Sequence, residues 1–220
     1  MIAKEIASYD IIPLTVTDSI AFALNALDEN RVNHLPLVKD RELLGLVAEF
    51  DLVNHPDQDD VVGNVKLSLP NASISSQQHV FDVMKMMTEM KLSVLPVVDQ
   101  RNIYTGLITL QNLVRFLTLN ISVLNPGGII ILEVAENNYS MAEIAQIVES
   151  NDARIIGAFF TTRTDSTLID LTLKINNIDL NPVIQTFERY NYTIKATFAE
   201  KDDLDDLKER YDSLMHYLNI

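Results

Sequence analysis

Apolar residues recur at steps of three and four in two places: Ile20, Ala23, Leu24 and Leu27, then Val80, Val83, Met84 and Met87. That spacing lays each set along one face of a helix, and the two stripes superpose at an offset of 60 residues. Behind them run RVNHLPLVKDRELLGLVAEFDLV (31–53) and KLSVLPVVDQRNIYTGLITLQNLV (91–114), which pair at the same offset, and at 61 once Ile103 is treated as an insertion. Leu35/Leu95, Pro36/Pro96, Val38/Val98, Arg41/Arg101, Gly45/Gly106, Leu46/Leu107, Leu52/Leu113 and Val53/Val114 are identical. The chain therefore carries an internal repeat. Each copy reads as a short strand (14–16, 72–75), a helix, a two-stranded hairpin turning at 39–42 or 99–102, and a closing helix. Pro36 and Pro96 lie within apolar strands, where a missing N–H is tolerated only if no neighbour needs it. They mark an edge, or a place where another group approaches the backbone.

The polar run HPDQDD (55–60) is a surface connection between the copies. A second boundary, Asn125-Pro126-Gly127-Gly128, follows a helix expected to end near Leu124. The rhythm then changes. An apolar strand (129–134) precedes Ser140-Met-Ala-Glu143, which has the form of a capping box, with Met141, Ile144, Ala145 and Val148 as the helical stripe. Strands over 153–163 and 167–175 form a hairpin around 164–166, the second with Ile169, Leu171, Leu173 and Ile175 inward and Asp170, Thr172 and Lys174 outward. Asn181 as cap and Pro182 at the first helical position open a helix carrying Val183, Phe187 and Tyr190. A last strand (192–199) puts Ile194, Ala196 and Phe198 on one face. The order is βαββαβ, a ferredoxin-like unit with two helices on one face of its sheet. In the tail (203–218), Leu204, Leu207, Tyr211, Leu214 and Leu218 form a heptad seam that docks on its own domain or on a twofold mate. The fold class is α+β, divided as repeat one (1–60), repeat two (61–124), a βαββαβ domain (125–200) and a terminal helix (201–220).

Charge narrows the function. The 220 residues include 17 Lys and Arg against 31 Asp and Glu, a net charge of −14, with no basic stripe. Nucleic-acid binding needs clustered cations, so no nucleic-acid partner is expected. With no Cys, disulfides, thiolate metal sites and Cys nucleophiles are excluded. His34, His55, His79 and His216 lack metal-ligand spacing, and neither a Gly-x-Ser-x-Gly elbow nor a P-loop occurs. The acidic runs 57–60 and 200–206 read as solvated surface. The start shows no signal-peptide pattern, and, Gly and Pro left aside, the longest apolar run, 20–24, is five residues where a spanning helix needs ~20. A cytoplasmic protein with no membrane partner, no metal and no catalytic centre is the expectation.

The repeated unit resembles a cystathionine β-synthase (CBS) domain, and the tandem a CBS pair. The residues that carry the likeness are His34-Leu35-Pro36-Leu37-Val38 and Val94-Leu95-Pro96-Val97-Val98, with Gly45-Leu-Val-Ala-Glu-Phe-Asp51 and Gly106-Leu-Ile-Thr-Leu-Gln-Asn112. Residues 129–199 resemble an ACT domain, a small-molecule regulatory fold. A CBS pair followed by an ACT-like domain is similar to the acetoin-utilisation accessory proteins of bacteria. The resemblance implies a homodimeric, non-enzymatic regulatory or sensor module without a required cofactor, acting on an unidentified regulated protein. It also implies an adenosyl ligand such as AMP, ADP, ATP or S-adenosylmethionine in the cleft between the repeats.

The family pattern is Gly, two apolar residues, Thr or Ser, two residues, then Asp. A strand-end hydroxyl and a first-turn carboxylate then lie together, and the carboxylate can accept from both ribose hydroxyls. Both copies depart from it. Repeat one keeps Asp51 but has Ala48 for the hydroxyl; repeat two keeps Thr109 but has Asn112 for the carboxylate. Asp51 is the stronger expected ligand because an ionised acceptor is harder to replace. His34 stands where relatives place a basic residue toward phosphate, while its counterpart Val94 cannot serve. Asp51 also reads as an ordinary dipole partner in the first turn of a helix and Thr109 as an ordinary strand-end residue, so a structural or protein-interaction dimer with vestigial clefts is the alternative. In the ACT-like loop the ligand candidates are Asn138 and Ser140, although the Gly that lets backbone approach a carboxylate is missing. Cations near the cleft are limited to His34, Lys39, Arg31 and their neighbours, which favours AMP-like or nucleoside ligands over ATP.

Overall fold

The computed structural model describes residues 1–162, 166–199 and 217, and the chain divides into two units, Met1–Leu117 and Thr118–Ile220. In the first, the elements run α1 (Ile20–Asn30), β1 (His34–Lys39), β2 (Glu42–Ala48), α2 (Glu49–Val53), β3 (Ile74–Ser75), α3 (Val80–Glu89), β4 (Val94–Val98), β5 (Tyr104–Thr109) and α4 (Leu110–Asn120), whose last residues pass the boundary. Ser19 Oγ accepts from Phe22 N at 3.1 Å to cap α1, and His79 Nδ1 accepts from Phe81 N at 3.2 Å to cap α3. Just past the two helices lie Arg31 and Lys91, residues 60 apart that share a left-handed φ of 53°. From the expected stripes, Ile20, Ala23, Leu27, Val80, Val83 and Met87 are buried, whereas Met84 lies exposed.

The first strand of each repeat is shorter than the apolar pattern suggests. Leu14 forms a single parallel bridge to Leu37, and β3 has two residues beside β4. In repeat one the residues after Leu14 enter a turn, where Asp18 Oδ2 accepts from Thr15 N at 2.7 Å and Thr15 O accepts from Asp18 N at 3.2 Å. Leu14 N donates to Pro36 O and Val38 N donates to Leu14 O, both at 2.8 Å. Pro36 thus turns toward the first strand the side on which it has no N–H, so the ladder cannot extend N-terminal to Leu14. The closing helices are unequal, five residues in α2 against eleven in α4, which ends at Asn120 rather than near Leu124.

The repeats exchange their leading segments. Ser8 N donates to Leu107 O at 2.9 Å and Leu107 N to Ser8 O at 3.0 Å, while Leu46 N donates to Leu69 O at 3.1 Å. Segment 1–8 thus borders repeat two, and segment 65–70 borders repeat one. Ala3 and Ile6 are buried with Ala72, Ile74, Val80, Leu95 and Ile108. Val65, with Leu67 packed against it, joins Leu14, Ile20, Leu35 and Val47. The hairpin turns also meet: Tyr104 N donates to Arg41 O at 2.8 Å and Leu43 N to Asn102 O at 3.3 Å.

The second unit has β6 (Gly128–Ala135), α5 (Met141–Glu149), β7 (Ile155–Thr161), β8 (Leu168–Ile175), α6 (Asn181–Arg189) and β9 (Thr193–Phe198). The sheet is antiparallel, in the order β7-β8-β6-β9. One face holds Ile130, Leu132, Ile169, Leu171, Leu173 and Ile175 against Ile144, Ile147, Val148, Val183 and Phe187 of the helices. Two caps differ from expectation. Ser140 Oγ accepts from Glu143 N at 3.2 Å, but the Glu143 carboxylate accepts from Tyr192 Oη at 2.6 Å instead of closing the box. Burial and the Glu143 contact push the Tyr192 phenol up to about 12. Leu180, not Asn181, precedes the first turn of α6; Asp179 Oδ1 accepts from Asn181 N at 3.1 Å and Nδ2 at 2.9 Å. The hairpin tip at 163–165 and the terminal heptad seam, Tyr217 apart, lie outside the described residues.

Gly45 and Gly106 make the exchange sterically feasible. A Cβ on Gly106 (φ +121°) would stand 2.9 Å from Ser8 O, and one on Gly45 (φ +154°) 2.7 Å from Leu67 Cδ1 and 3.1 Å from Pro70 Cα. Gly106→Ala should lower unfolding stability by ~1–3 kcal/mol in urea melts. An unchanged midpoint would show that the approach of residue 8 does not depend on the glycine.

Candidate functional site

At the junction of β5 and α4, Thr109 Oγ1 accepts from Asn112 N at 3.0 Å, so the hydroxyl caps the helix and holds residue 112 beside it. Asn112 Nδ2 donates to Ser8 Oγ at 3.0 Å; among the described residues its Oδ1 has no partner. Thr109 and Asn112 open into a cavity of ≈ 810 Å³ shared with Asn30 and Arg31 at the end of α1, Ser93, Asp10 and Arg115. Both motif positions of repeat two therefore face one space, walled partly by repeat one.

The equivalent position in repeat one is built differently. Asp51 Oδ2 accepts from Ser68 N and Ser68 Oγ, each at 3.1 Å, and from Ala48 N at 3.3 Å. Ala48 is buried and offers only this main-chain N–H. Ser8 and Ser68 are themselves 60 apart and hold matching places, one on Asn112 and one on Asp51. That pairing was within reach of the offset, but the identical block begins only at residue 35, so neither serine stood out. Arg115 was equally hidden: its repeat counterpart is Asn54, and nothing local sets it apart.

His34 links the repeats. Its Nδ1 lies 3.0 Å from Ser93 Oγ and accepts from Ser93 N at 3.3 Å, while Ser93 Oγ also accepts from Asn33 N at 2.9 Å. An Nδ1 that accepts an N–H places the ring proton on Nε2. Burial lowers the imidazole pKa, and the Asp51 charge opposes that shift only in part. At neutral pH, His34 is thus a neutral hydrogen-bonding group. In the second unit, Asn138 N donates to Ala135 O at 3.0 Å within a turn, and Ser140 Oγ is engaged in its cap. Among the described residues no group of three or more His, Asp or Glu could hold a metal ion, and no helix is long and apolar enough to cross a membrane.

Residues 3–57 and 62–119 each match the CBS domain, together just over half of the chain. The chain belongs to the CBS-domain family. Proteins of this family are generally regulatory rather than catalytic. An uncharacterized protein of Methanocaldococcus jannaschii is 23% identical over 112 residues, 51% of this chain and 42% of that protein. The chain spans less than two thirds of the curated relatives it matches, between 21% and 60% of their length. Among solved structures, a CBS domain pair/ACT domain protein from Thermotoga maritima is 22% identical with a TM-score of 0.49, over 54% of this chain and 98% of that one. CBSX2 of Arabidopsis thaliana, in a complex with AMP, is 23% identical with a TM-score of 0.46, over 54% and 96% respectively.

In this CBS pair the neutral His34 makes stability depend on pH in a defined direction. The unfolded chain takes a proton near the ordinary value of 6.5, and the folded chain only below it. The unfolded state therefore binds more protons as pH falls, so the contribution is complete above about 6.5 and lost as pH drops through the folded value. Urea unfolding at pH 7.5 and pH 5.5 should show a larger loss in the wild type than in His34→Gln. An equal loss in both would remove His34 from the response.

Proposed function

We propose that this CBS pair is a regulatory module whose second-repeat cavity receives an adenosyl ligand. The observation that carries the reading is the convergence of Thr109 and Asn112 in one cavity of ≈ 810 Å³. CBS pairs are regulatory modules, and the space is within the ~300–1,000 Å³ of small-molecule sites. Thr109, Asn112 and Ser93 are the ribose-facing polar groups. Asn112, as an amide, supplies an acceptor in Oδ1 without the charge of the carboxylate it replaces. The proposed domains are the two CBS repeats (1–60, 61–124), an ACT-like domain (125–200) and a terminal helix (201–220). The βαββαβ order, the two central strands β6 and β8 and the single helix-covered face support the ACT-like reading. Asn138 and Ser140 are its loop candidates, and the combination supports kinship with acetoin-utilisation accessory proteins.

The working form is a cytoplasmic homodimer that acts on a regulated protein, without a required cofactor or metal. Exposed Phe22, Phe50, Val53, Phe81, Met84, Leu110 and Val114 on α1–α4 support its assembly through helices. A ligand shifts such an assembly only by its differential affinity for two packings. For repeat one a second reading has its own support: the three donors on Asp51 Oδ2 make that carboxylate a latch on segment 65–70, with its cleft vestigial.

Thermal melts with AMP, ADP, ATP, S-adenosylmethionine and adenosine test the first reading; a ligand at 100 times its dissociation constant should add ~2.7 kcal/mol. No response across the panel at millimolar concentration, with the protein folded, overturns it. Asp51→Ala separates the roles in repeat one: lower affinity at an unchanged melting temperature marks a ligand residue, and the reverse marks the latch.

A further inference from the structure

We infer that the terminal segment 203–218 folds back as a helix over the face of the four-stranded sheet that looks away from α5 and α6, its leucine seam along β6 and its Tyr211 over the charged middle of that face. This docking is independent of any ligand in the first unit. A sheet with one wet face alternates apolar and polar residues, and β8 does so, with Asp170, Thr172 and Lys174 pointing away from its core side. β6 does not. It reads Ile129-Ile130-Ile131-Leu132; Ile130 and Leu132 enter the core with the helices, while Ile129, Ile131 and Ala135 point the other way and are half-buried. Neighbouring strands extend this apolar surface: Phe198 lies opposite Ile129, Ala196 opposite Ile131 and Leu168 opposite Ala135, with Phe198 57% and Leu168 37% exposed. Between the apolar ends Glu133 stands opposite Asp170, to which Lys195 of β9 is paired. Lys174, opposite Ile129, turns its Nζ to Gly127 O at 3.2 Å.

The occupant follows from where β9 ends and from the length of chain beyond it. β9 stops at Phe198, beside Ile129, so the tail sets out from one apolar end of this face. A helix over 203–218 spans ~24 Å at about 1.5 Å per residue, and β6, with eight residues, spans ~26 Å. Asp202, Asp203, Asp205 and Asp206 suit a helix start, where carboxylates meet the positive end of the dipole. Run back along β6 from Ile129 toward Ala135, the seam falls into step with the face. With Tyr211 over Glu133, Leu207 lies ~6 Å to one side, where Ile131 lies ~7 Å, and Leu214 lies ~4.5 Å to the other, where Ala135 lies ~7 Å. Leu204 then reaches toward Phe198, and Leu218 toward Leu168. The one hydroxyl of the seam meets the carboxylates, to which a phenol donates, and the leucines meet the apolar ends. Tyr217 agrees with this placement: it is helical and 75% exposed, as suits a side chain about 100° round the helix from the seam position Leu218. A lone helix of this length is marginal in water and is held chiefly by packing its apolar stripe. The second unit is then three layers, helix pair, sheet and tail, and this face is closed to other partners.

The test uses paired cysteines in the full chain, which has none of its own, joined by a short bis-maleimide and read by denaturing gel and mass spectrometry. Ile131→Cys with Leu207→Cys, and Ala135→Cys with Leu214→Cys, should each crosslink within one chain. Both should react at least about tenfold faster than Ile129→Cys with Leu218→Cys, a pair that this register holds ~24 Å apart along the sheet. Each pair is checked for an unchanged circular-dichroism melt. Hydrogen exchange is the second measurement and needs no cysteine. Main-chain amides at 207–218 of the wild type should exchange at least about tenfold more slowly than in an unstructured peptide, equally at high and low protein concentration. Ile131→Glu, outside the helix-covered core, should remove that protection and leave α5 and β8 protected. Crosslinks that join two chains, or protection that falls on dilution, give the face to the tail of a second copy and overturn docking within one chain. A faster Ile129–Leu218 crosslink overturns the direction and register. No crosslink in either expected pair, an unprotected tail, or protection indifferent to Ile131→Glu overturns the docking altogether. Should the cysteine variants melt early, exchange in the wild type and in Ile131→Glu decides alone.

Discussion

The first unit depends on an exchange: each repeat is completed by the segment that leads into the other. The main-chain pair between Ser8 and Leu107, and its counterpart from Leu46 to Leu69, place residues 3–8 on repeat two and 65–70 on repeat one. These bonds satisfy strand edges that would otherwise be open. They also deliver Ala3 and Ile6 into one core and Val65 into the other. A buried aliphatic side chain contributes ~1.5–3 kcal/mol, so neither repeat has its full core alone. The glycines of the repeated Gly-Leu pair are where this backbone approach occurs. That gives a structural reason for Gly at a position that also belongs to a ligand-motif pattern.

The same exchange brings the candidate site together. Ser8 reaches Asn112 because segment 1–8 borders β5, and Ser68 reaches Asp51 because segment 65–70 borders β2. The two positions are near copies in geometry and unlike in chemistry. One places a carboxylate beneath three donors; the other places an amide and a threonine at the mouth of a cavity. His34 and Ser93 break the symmetry further, since their counterparts are Val94 and Asn33, and they form a hydrogen-bonded tie between the repeats. Divergence of this kind suits a module in which the repeats have separate tasks.

In the second unit, strict alternation along β8 placed Ile169, Leu171, Leu173 and Ile175 correctly in the core, because a strand with one covered face has only one register that buries its apolar set. The caps were less legible. Ser140 and Glu143 have capping-box spacing, but Tyr192, 49 residues away, takes the carboxylate. Asp179 supplies what Asn181 was expected to supply. Local spacing names the groups able to cap a helix, and a competitor from across the fold decides which of them does.

The amino-acid sequence by itself determined the repeat, its offset, the helices and hairpins, and the βαββαβ order of the second unit. Periodic burial and turn chemistry are local, and each repeat reports them twice. It also placed Thr109, Asn112, Asp51 and Ala48 at their helix starts, since an N-cap and a first turn are set by neighbours three residues apart. Tertiary structure alone decided which segment borders which repeat, that burial lowers the His34 imidazole pKa and ties the ring to Ser93, that Asp51 is tied to Ser68, and that Arg31 and Arg115, 84 positions apart, share one cavity. Each of those results depends on groups distant along the chain being brought within a few ångströms, where burial, hydrogen bonding and charge act together.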